Sequence, residues 1–182
     1  MTSALLLGRY DIRLPRLSDA EALAAAYDQN RDHLAPFEPR RSTSFYTIEG
    51  QRESLGTALE TAQRDQAASW LIFDEERIVG QMNLNSIVLG AAHCAHAGYW
   101  IDGDYTGQGL ASAALEFACA TAVDLGLHRI EAATLVDNVA SKAVLRRCGF
   151  TPIGRAPAYL HIDGAWRDHD LFQRVLHDNP PG

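Results

Sequence analysis

Gly98-Tyr99-Trp100-Ile101-Asp102-Gly103-Asp104-Tyr105-Thr106-Gly107-Gln108-Gly109-Leu110-Ala111-Ser112 joins an apolar strand to a helix through a glycine-rich turn. Aromatic and β-branched residues over Gly98–Ile101 suit a strand, and Asp102-Gly103-Asp104 breaks it. The helix that follows runs to Leu125. Gly126 is then a left-handed cap, with Leu127 placed to fold back onto the last turn. The first N–H groups of a helix lack intrahelical partners, and the helix dipole favours negative charge at that end. Glycines ahead of such an end let the backbone approach a phosphate closely. The stretch therefore reads as an anion cradle for a pyrophosphate; the plainer alternative is a tight strand-to-helix turn made by Gly107 and Gly109.

The kind of cradle is narrowed by what is missing. A Walker loop needs a Lys after its last glycine, and none stands here. A dinucleotide fingerprint needs a third glycine where this chain has Ser112, and Asp102 and Asp104 lie close to where its phosphates would sit.

Outward from this stretch the chain alternates in a recognisable order. Ile12-Arg13-Leu14 is a first short strand, and Ser18 with Glu21 forms a capping box opening a helix through about Asn30. Pro36-Phe37-Glu38-Pro39 is a break. A second helix begins near Thr47, carrying Leu55, Ala58, Leu59 and Ala62 at helical spacing around an unfavourable Gly56. Ser69–Phe73, Ile78–Leu89 and the strand ending at Ile101 form an antiparallel meander. After the central helix come a strand at Arg129–Val136 and a short helix with Asn138 as N-cap. Two last strands, Ile153–Ile162 and Ala165–Leu176, flank Asp163-Gly164, a type I′ hairpin signal. Asn179-Pro180-Pro181-Gly182 reads as a loose tail. The order is that of an α+β fold with a largely antiparallel sheet, not a doubly wound one.

At 182 residues the chain is expected to form a single domain, residues 1–182, able to bury a substantial core. Hydrophobic residues make up 47% and charged residues 21%, the balance of a soluble globular protein. No apolar run approaches the ~18 residues of a membrane span, and Met1–Arg9 has no basic lead-in for a signal peptide. Three cysteines, an odd number with no Cys-x-x-Cys pair, fit a reduced cytoplasmic setting. A net charge of −7 argues against a nucleic-acid partner and is compatible with a cationic acceptor. His93-Cys94-x-His96 hints at a metal, but strand alternation puts His93 on the face opposite Cys94 and His96, and no further ligands stand nearby. No metal is expected.

Several stretches resemble one family in the right order. Thr106–Ala111 resembles the acyl-CoA pyrophosphate loop of the GNAT acetyltransferases, with Gly109 and Ala111 matching and Thr106 departing from the first position. Asp137-Asn138-Val139-Ala140-Ser141 and Arg147-Cys148-Gly149-Phe150 are similar to its Asn-x-x-Ser segment and Gly-Phe exit. Tyr159-Leu160-His161-Ile162-Asp163-Gly164-Ala165-Trp166-Arg167-Asp168-His169 is similar to the terminal hairpin of the ribosomal-protein-alanine (RimJ/RimL type) enzymes. The resemblance covers nearly the whole chain. It implies a GNAT-like fold with a splayed central strand pair, acetyl-CoA as acyl donor, and direct transfer to an amine within a ternary complex. The acceptor implied is the α-amine of a protein or peptide. An acetyltransferase of small amines and a non-catalytic acyl-CoA-binding protein are the rivals, with a nucleotide-dependent oxidoreductase more distant.

Site residues follow from the same resemblance. Trp100 and Ile101 lie along the pantetheine arm, and Gly107, Gln108, Gly109, Leu110, Ala111 and Ser112 cradle the pyrophosphate. Asn138 and Ser141 sit one helical turn apart and can face one groove; from spacing alone they read as a helix cap and a surface residue. The family match makes Asn138 a ligand of the CoA arm and Ser141 the proton donor to the leaving thiolate. Relatives often carry acidic residues where this chain has Ala158 and His96. An imidazole, with a reference pKa of about 6.5, can accept a proton near neutrality, so His96 is the candidate base, followed by His161, Asp168 and Glu38. Phe37, Tyr46, Tyr159 and Trp166 are candidate walls of the acceptor cleft, and Arg146, Arg147 and Arg155 candidate partners of the 3′-phosphate. A monomer or homodimer is expected.

Overall fold

A computed structural model describes residues 2–179; of the predicted tail, residues 180–182 lie outside the described residues. Eight strands form one sheet: β1 (Ser3–Leu6), β2 (Tyr10–Arg13), β3 (Ala68–Asp74), β4 (Arg77–Val88), β5 (Cys94–Ile101), β6 (Arg129–Leu135), β7 (Thr151–Ile162) and β8 (Ala165–Val175). Their order in space is β1-β2-β3-β4-β5-β6-β8-β7, antiparallel throughout except where β5 meets β6. Among the described residues five α-helices accompany it: α1 (Ala20–Gln29), α2 (Arg31–Leu34), α3 (Ile48–Gln63), α4 (Leu110–Asp124) and α5 (Val139–Arg147).

Alternation along the strands divides the apolar residues between two faces. Ile72, Met82, Leu84, Ala95 and Ile101 pack against Leu110, Ala114 and Leu115 of α4 and Leu145 of α5. On the other face Leu71, Phe73, Ile78 and Trp100 meet Leu23 and Tyr27 of α1 and Leu55 of α3. Leu71 and Leu115 are wholly buried, a contribution of about 1.5–3 kcal/mol each relative to exposure.

Local chemistry explains several element ends. Gly126 adopts φ +74°, and the Leu127 N–H donates to Ala122 O at 2.9 Å, closing α4 with Leu127 fully buried. Thr47 Oγ1 accepts the Gly50 N–H at 3.1 Å at the start of α3. Asp163 and Gly164 take φ +45° and +78°, as a type I′ hairpin requires.

Two sequence expectations change. The first strand is preceded by another, because Leu7 and Gly8 both take left-handed φ (+53° and +69°) and turn β1 into β2. A leucine there carries no turn signal. The Ser18–Glu21 capping box is also not the one used: Leu17–Asp19 forms a 3-10 turn, so α1 starts at Ala20. Asp19 takes over, accepting the Arg16 N–H at 2.7 Å and pairing with Arg13 at 2.8 Å.

The feature that positions the site is the β5–β6 pairing. Only Cys94↔Arg129, Ala95↔Ile130 and His96↔Glu131 are in register. Beyond them Ala97–Ile101 pair with β4 alone, and Ala132–Leu135 pair with β8 alone. The two strands part like a V whose vertex is at His96 and Glu131.

Candidate active site

At the open end of the V the chain leaves β5 and turns through residues 102–109 into α4. Asp102 is directed inward, not toward the turn's outer surface. Its carboxylate accepts from Asn30 Nδ2 at 2.9 Å, the Asp104 N–H at 2.9 Å and Arg77 at 2.7 Å. Burial pushes this carboxyl up, and the three donors outweigh it, leaving it below the usual carboxylate range. Of the two aspartates that argued against a dinucleotide cradle, Asp102 is thus paired from behind, while Asp104 stands exposed with Arg77 at 3.4 Å.

Gly107 and Gly109 hold φ +74° and +82°. A Cβ on either would meet nothing within 4 Å, so the backbone conformation, and not crowding, demands glycine. The Gln108 side chain is tied back by Tyr10 OH at 3.0 Å and by its own donation to Asp104 O at 3.1 Å. The first backbone bond of α4 is the Ala113 N–H to Gly109 O at 3.0 Å. Among the described residues, the N–H groups of Gln108, Gly109, Leu110, Ala111 and Ser112 have no acceptor. Five donors at a helix start, over open space, fit a diphosphate.

The parted strands supply a second fit. A buried backbone N–H or C=O without a partner costs about 1–3 kcal/mol, so the facing flanks of Ala97–Ile101 and Ala132–Leu135 suit a ligand that carries amides, as the pantetheine arm of CoA does. Trp100 and Ile101 lie on that flank. Their side chains are engaged elsewhere, Ile101 in the α4 core and Trp100 Nε1 donating to Tyr27 OH at 3.0 Å.

Across the opening stands the start of α5. Asn138 caps it, its Oδ1 accepting the Ser141 N–H at 3.0 Å, while its Nδ2 has no partner among the described residues. Lys142 anchors the same turn to β8 through Asp170 at 2.5 Å, and Asp170 also takes Arg155 at 2.8 Å. Ser141 Oγ lies 3.1 Å from the Tyr99 phenol. Burial pushes that phenol up to about 12, so it stays protonated. Sequence reasoning missed Tyr99, because its meeting with Ser141 depends on where β5 and β6 part; the only available signal was that Tyr99 alternates onto the face of Ile101.

His96 is at the vertex of the V, nearly half exposed, with Nδ1 3.9 Å from the Glu131 carboxylate. Its side chain alternates onto the face opposite Tyr99. His93 bonds Gly126 O at 2.9 Å and Cys94 is buried; no cluster of three or more metal-ligating side chains occurs among the described residues. Arg155 is engaged by Asp170, whereas Arg146 and Arg147 stand exposed on the last turn of α5.

On the α1 face a cavity of about 240 Å³ lies between α1, α2, the segment after them and the β7–β8 turn, lined by Tyr27, Arg31, Leu34, Glu38, Arg41, Tyr46 and Asp163 among others. The Asp163 N–H donates to Glu38 O at 3.1 Å, docking the hairpin tip onto the loop. Tyr46 lines this cavity; Phe37, Tyr159 and Trp166 do not. Trp166 is two-thirds exposed and packs edge-on against His161 at 5.5 Å, and Tyr159 lies 5.7 Å from His169.

Comparison with known proteins agrees with this geometry. The model of the acetyltransferase (GNAT) domain matches residues 9–151. The ribosomal protein uS5-alanine N-acetyltransferase of Escherichia coli (strain K12) is 36% identical over 177 residues, 96% of this chain and 91% of that protein. The crystal structure of the ribosomal-protein-S5-alanine acetyltransferase from Vibrio fischeri superposes with a TM-score of 0.94 at 35% identity, covering 100% of both chains. Mycobacterium smegmatis RimJ, in complex with CoA-disulfide, superposes at 0.90 with 30% identity over 96% of this chain and 87% of its own. No helix among the described residues is long and apolar enough to cross a membrane.

Proposed function

The chain belongs to the GNAT acetyltransferase family, an acetyl-CoA-dependent N-acetyltransferase, and from that premise we propose that its acceptor is the N-terminal α-amine of a protein, as the names of its ribosomal-protein relatives indicate for them. The observation that carries the chemistry is the opening between β5 and β6 with the Tyr99–Ser141 pair at its mouth. We read the whole chain as one acetyltransferase domain working in the cytoplasm; its three cysteines are unpaired and buried.

Bound acetyl-CoA supplies an activated acyl group on a thiol whose ordinary pKa of about 8.5 makes it a fair leaving group. The N–H groups of residues 108–112, set up by Gly107 and Gly109, hold the diphosphate. The parted flank of Trp100 and Ile101 and the Nδ2 of Asn138 align the arm. Ser141 gives its hydroxyl proton to the departing sulfur and regains one from water, while the Tyr99 phenol stays protonated and orients the Ser141 hydroxyl. His96, at the vertex and on the opposite face, takes the proton that the acceptor must lose. Phe37, Tyr159 and Trp166 lie outside the cavity and offer the acceptor an outer surface over which its chain passes.

The test is release of CoA from acetyl-CoA with peptides bearing free or blocked α-amines and with small amines. Turnover confined to free α-amine peptides is the expected result. Turnover only with small amines, or with none, would overturn the assignment.

A further inference from the structure

The α1-face cavity contains one carboxylate whose situation the reaction as described leaves unused. Glu38 is largely buried there, its side chain about one-fifth exposed, and its charge partner is Arg41 at 3.7 Å. That separation is too long for a good hydrogen bond. Burial raises the carboxyl, with Arg41 pulling the other way. A buried carboxylate so weakly compensated gains from a closer cation.

Its surroundings say which cation. Tyr27 forms one wall, and its hydroxyl donates to Gln81 at 2.9 Å and accepts from Trp100 Nε1 at 3.0 Å. Tyr27 thus links the cavity to Trp100 of β5, whose side chain lies on the face opposite the Tyr99–Ser141 pair. Gly98 lies between His96 and Trp100 on this face, and a Cβ there would meet only Asn85 Nδ2, at 3.7 Å. At Gly98, then, β5 puts no side chain on this face. Arg31 is stacked over Tyr46 at 3.8 Å and Arg41 over Phe45 at 4.6 Å, and the other carboxylate of the lining, Asp163, is held by Arg40 at 3.3 Å, so Glu38 is the carboxylate left for an incoming charge.

We propose that Glu38 is the acceptor-positioning carboxylate, holding the α-ammonium of the incoming N-terminus in the α1-face cavity, and that Arg41 occupies it until the acceptor arrives. The α-ammonium reaches the cavity charged at neutral pH but, with a pKa of about 7.7–8.0, gives up its proton far more readily than a lysine side chain. Glu38 acts on binding and not on the bond-making step. This rests on the protein N-terminus reading above and deepens it.

The experiment measures binding to the CoA-loaded protein of an alanyl peptide and of its propionyl analogue, which lacks only the amine, alongside steady-state kinetics with the alanyl peptide. The native protein should prefer the alanyl peptide by about tenfold or more. Glu38→Gln should abolish that preference and raise the peptide KM by a similar factor, with kcat and the Kd for CoA close to native. Arg41→Gln, which removes the competitor, should lower the KM. A native preference retained in Glu38→Gln, a loss confined to kcat, or a raised KM in Arg41→Gln would overturn the proposal. Failure of the native protein to acetylate any peptide while still binding CoA would overturn the acceptor reading on which it rests.

Discussion

The Tyr99 phenol lies 3.1 Å from the Ser141 hydroxyl, so a residue of β5 and a residue of α5 share a hydrogen bond where the sheet opens. Neither hydroxyl has another side-chain partner among the described residues. If the pair delivers a proton to the leaving thiolate, Ser141→Ala should lower kcat by about tenfold to a hundredfold, the modest end of general-acid effects for so good a leaving group. The Kd for acetyl-CoA should change little, and Tyr99→Phe should give a smaller loss of kcat. Native kcat in Ser141→Ala would remove it from the mechanism.

Gly109 holds φ +82° with open space around it. Alanine there should fold but strain the turn by about 1–2 kcal/mol, and relief of that strain re-aims the donors that follow. Calorimetry on Gly109→Ala should show acetyl-CoA binding weakened about tenfold, with a melting temperature lowered by only a few degrees. Unchanged affinity would mean that the conformation does not matter to the ligand.

Asp170 is held down to about 2, first by the hydrogen bond from Arg155 and then by that from Lys142. Unfolded, an aspartate titrates near 3.9. Its folded pKa is the lower one, so the triad's contribution is fully present above about pH 4 and is lost as pH falls through 2. Urea unfolding between pH 5 and pH 2 should show this acid limb, shallower in Asp170→Asn. Identical limbs in the two proteins would refute the linkage.

His96 has the vertex position and the exposure a base requires. His96→Ala should therefore lower kcat with an α-amine peptide by about a hundredfold while leaving the Kd for acetyl-CoA close to native. Native kcat in His96→Ala would exclude the imidazole.

Much of this architecture was legible in local chemistry. Gly126-Leu127, Asn138 and Asp163-Gly164 act within a few residues of themselves, and each does what its type dictates. Leu7 misleads because a leucine in a left-handed turn is held there by the strands it joins and not by its own preference. Ser18 misleads because Asp19, one residue on, finds both Arg13 and the Arg16 N–H. The site divides along the same line. The glycine turn is a local object and could be read directly. The inward rotation of Asp102 needs Asn30 and Arg77, and the Tyr99–Ser141 contact spans 42 residues. Glu38 likewise becomes a cavity carboxylate only when the β7–β8 turn docks onto its loop. Such pairings are products of register, which no single segment encodes.

The proposed grip of the turn after β5 on the diphosphate of CoA, through bare backbone donors, is tested by following backbone amide resonances while CoA is titrated into the protein. The N–H signals of Gln108, Gly109, Leu110, Ala111 and Ser112 should shift together, saturate with the binding isotherm and become protected from exchange. Saturable binding that leaves those five signals where they were would contradict it.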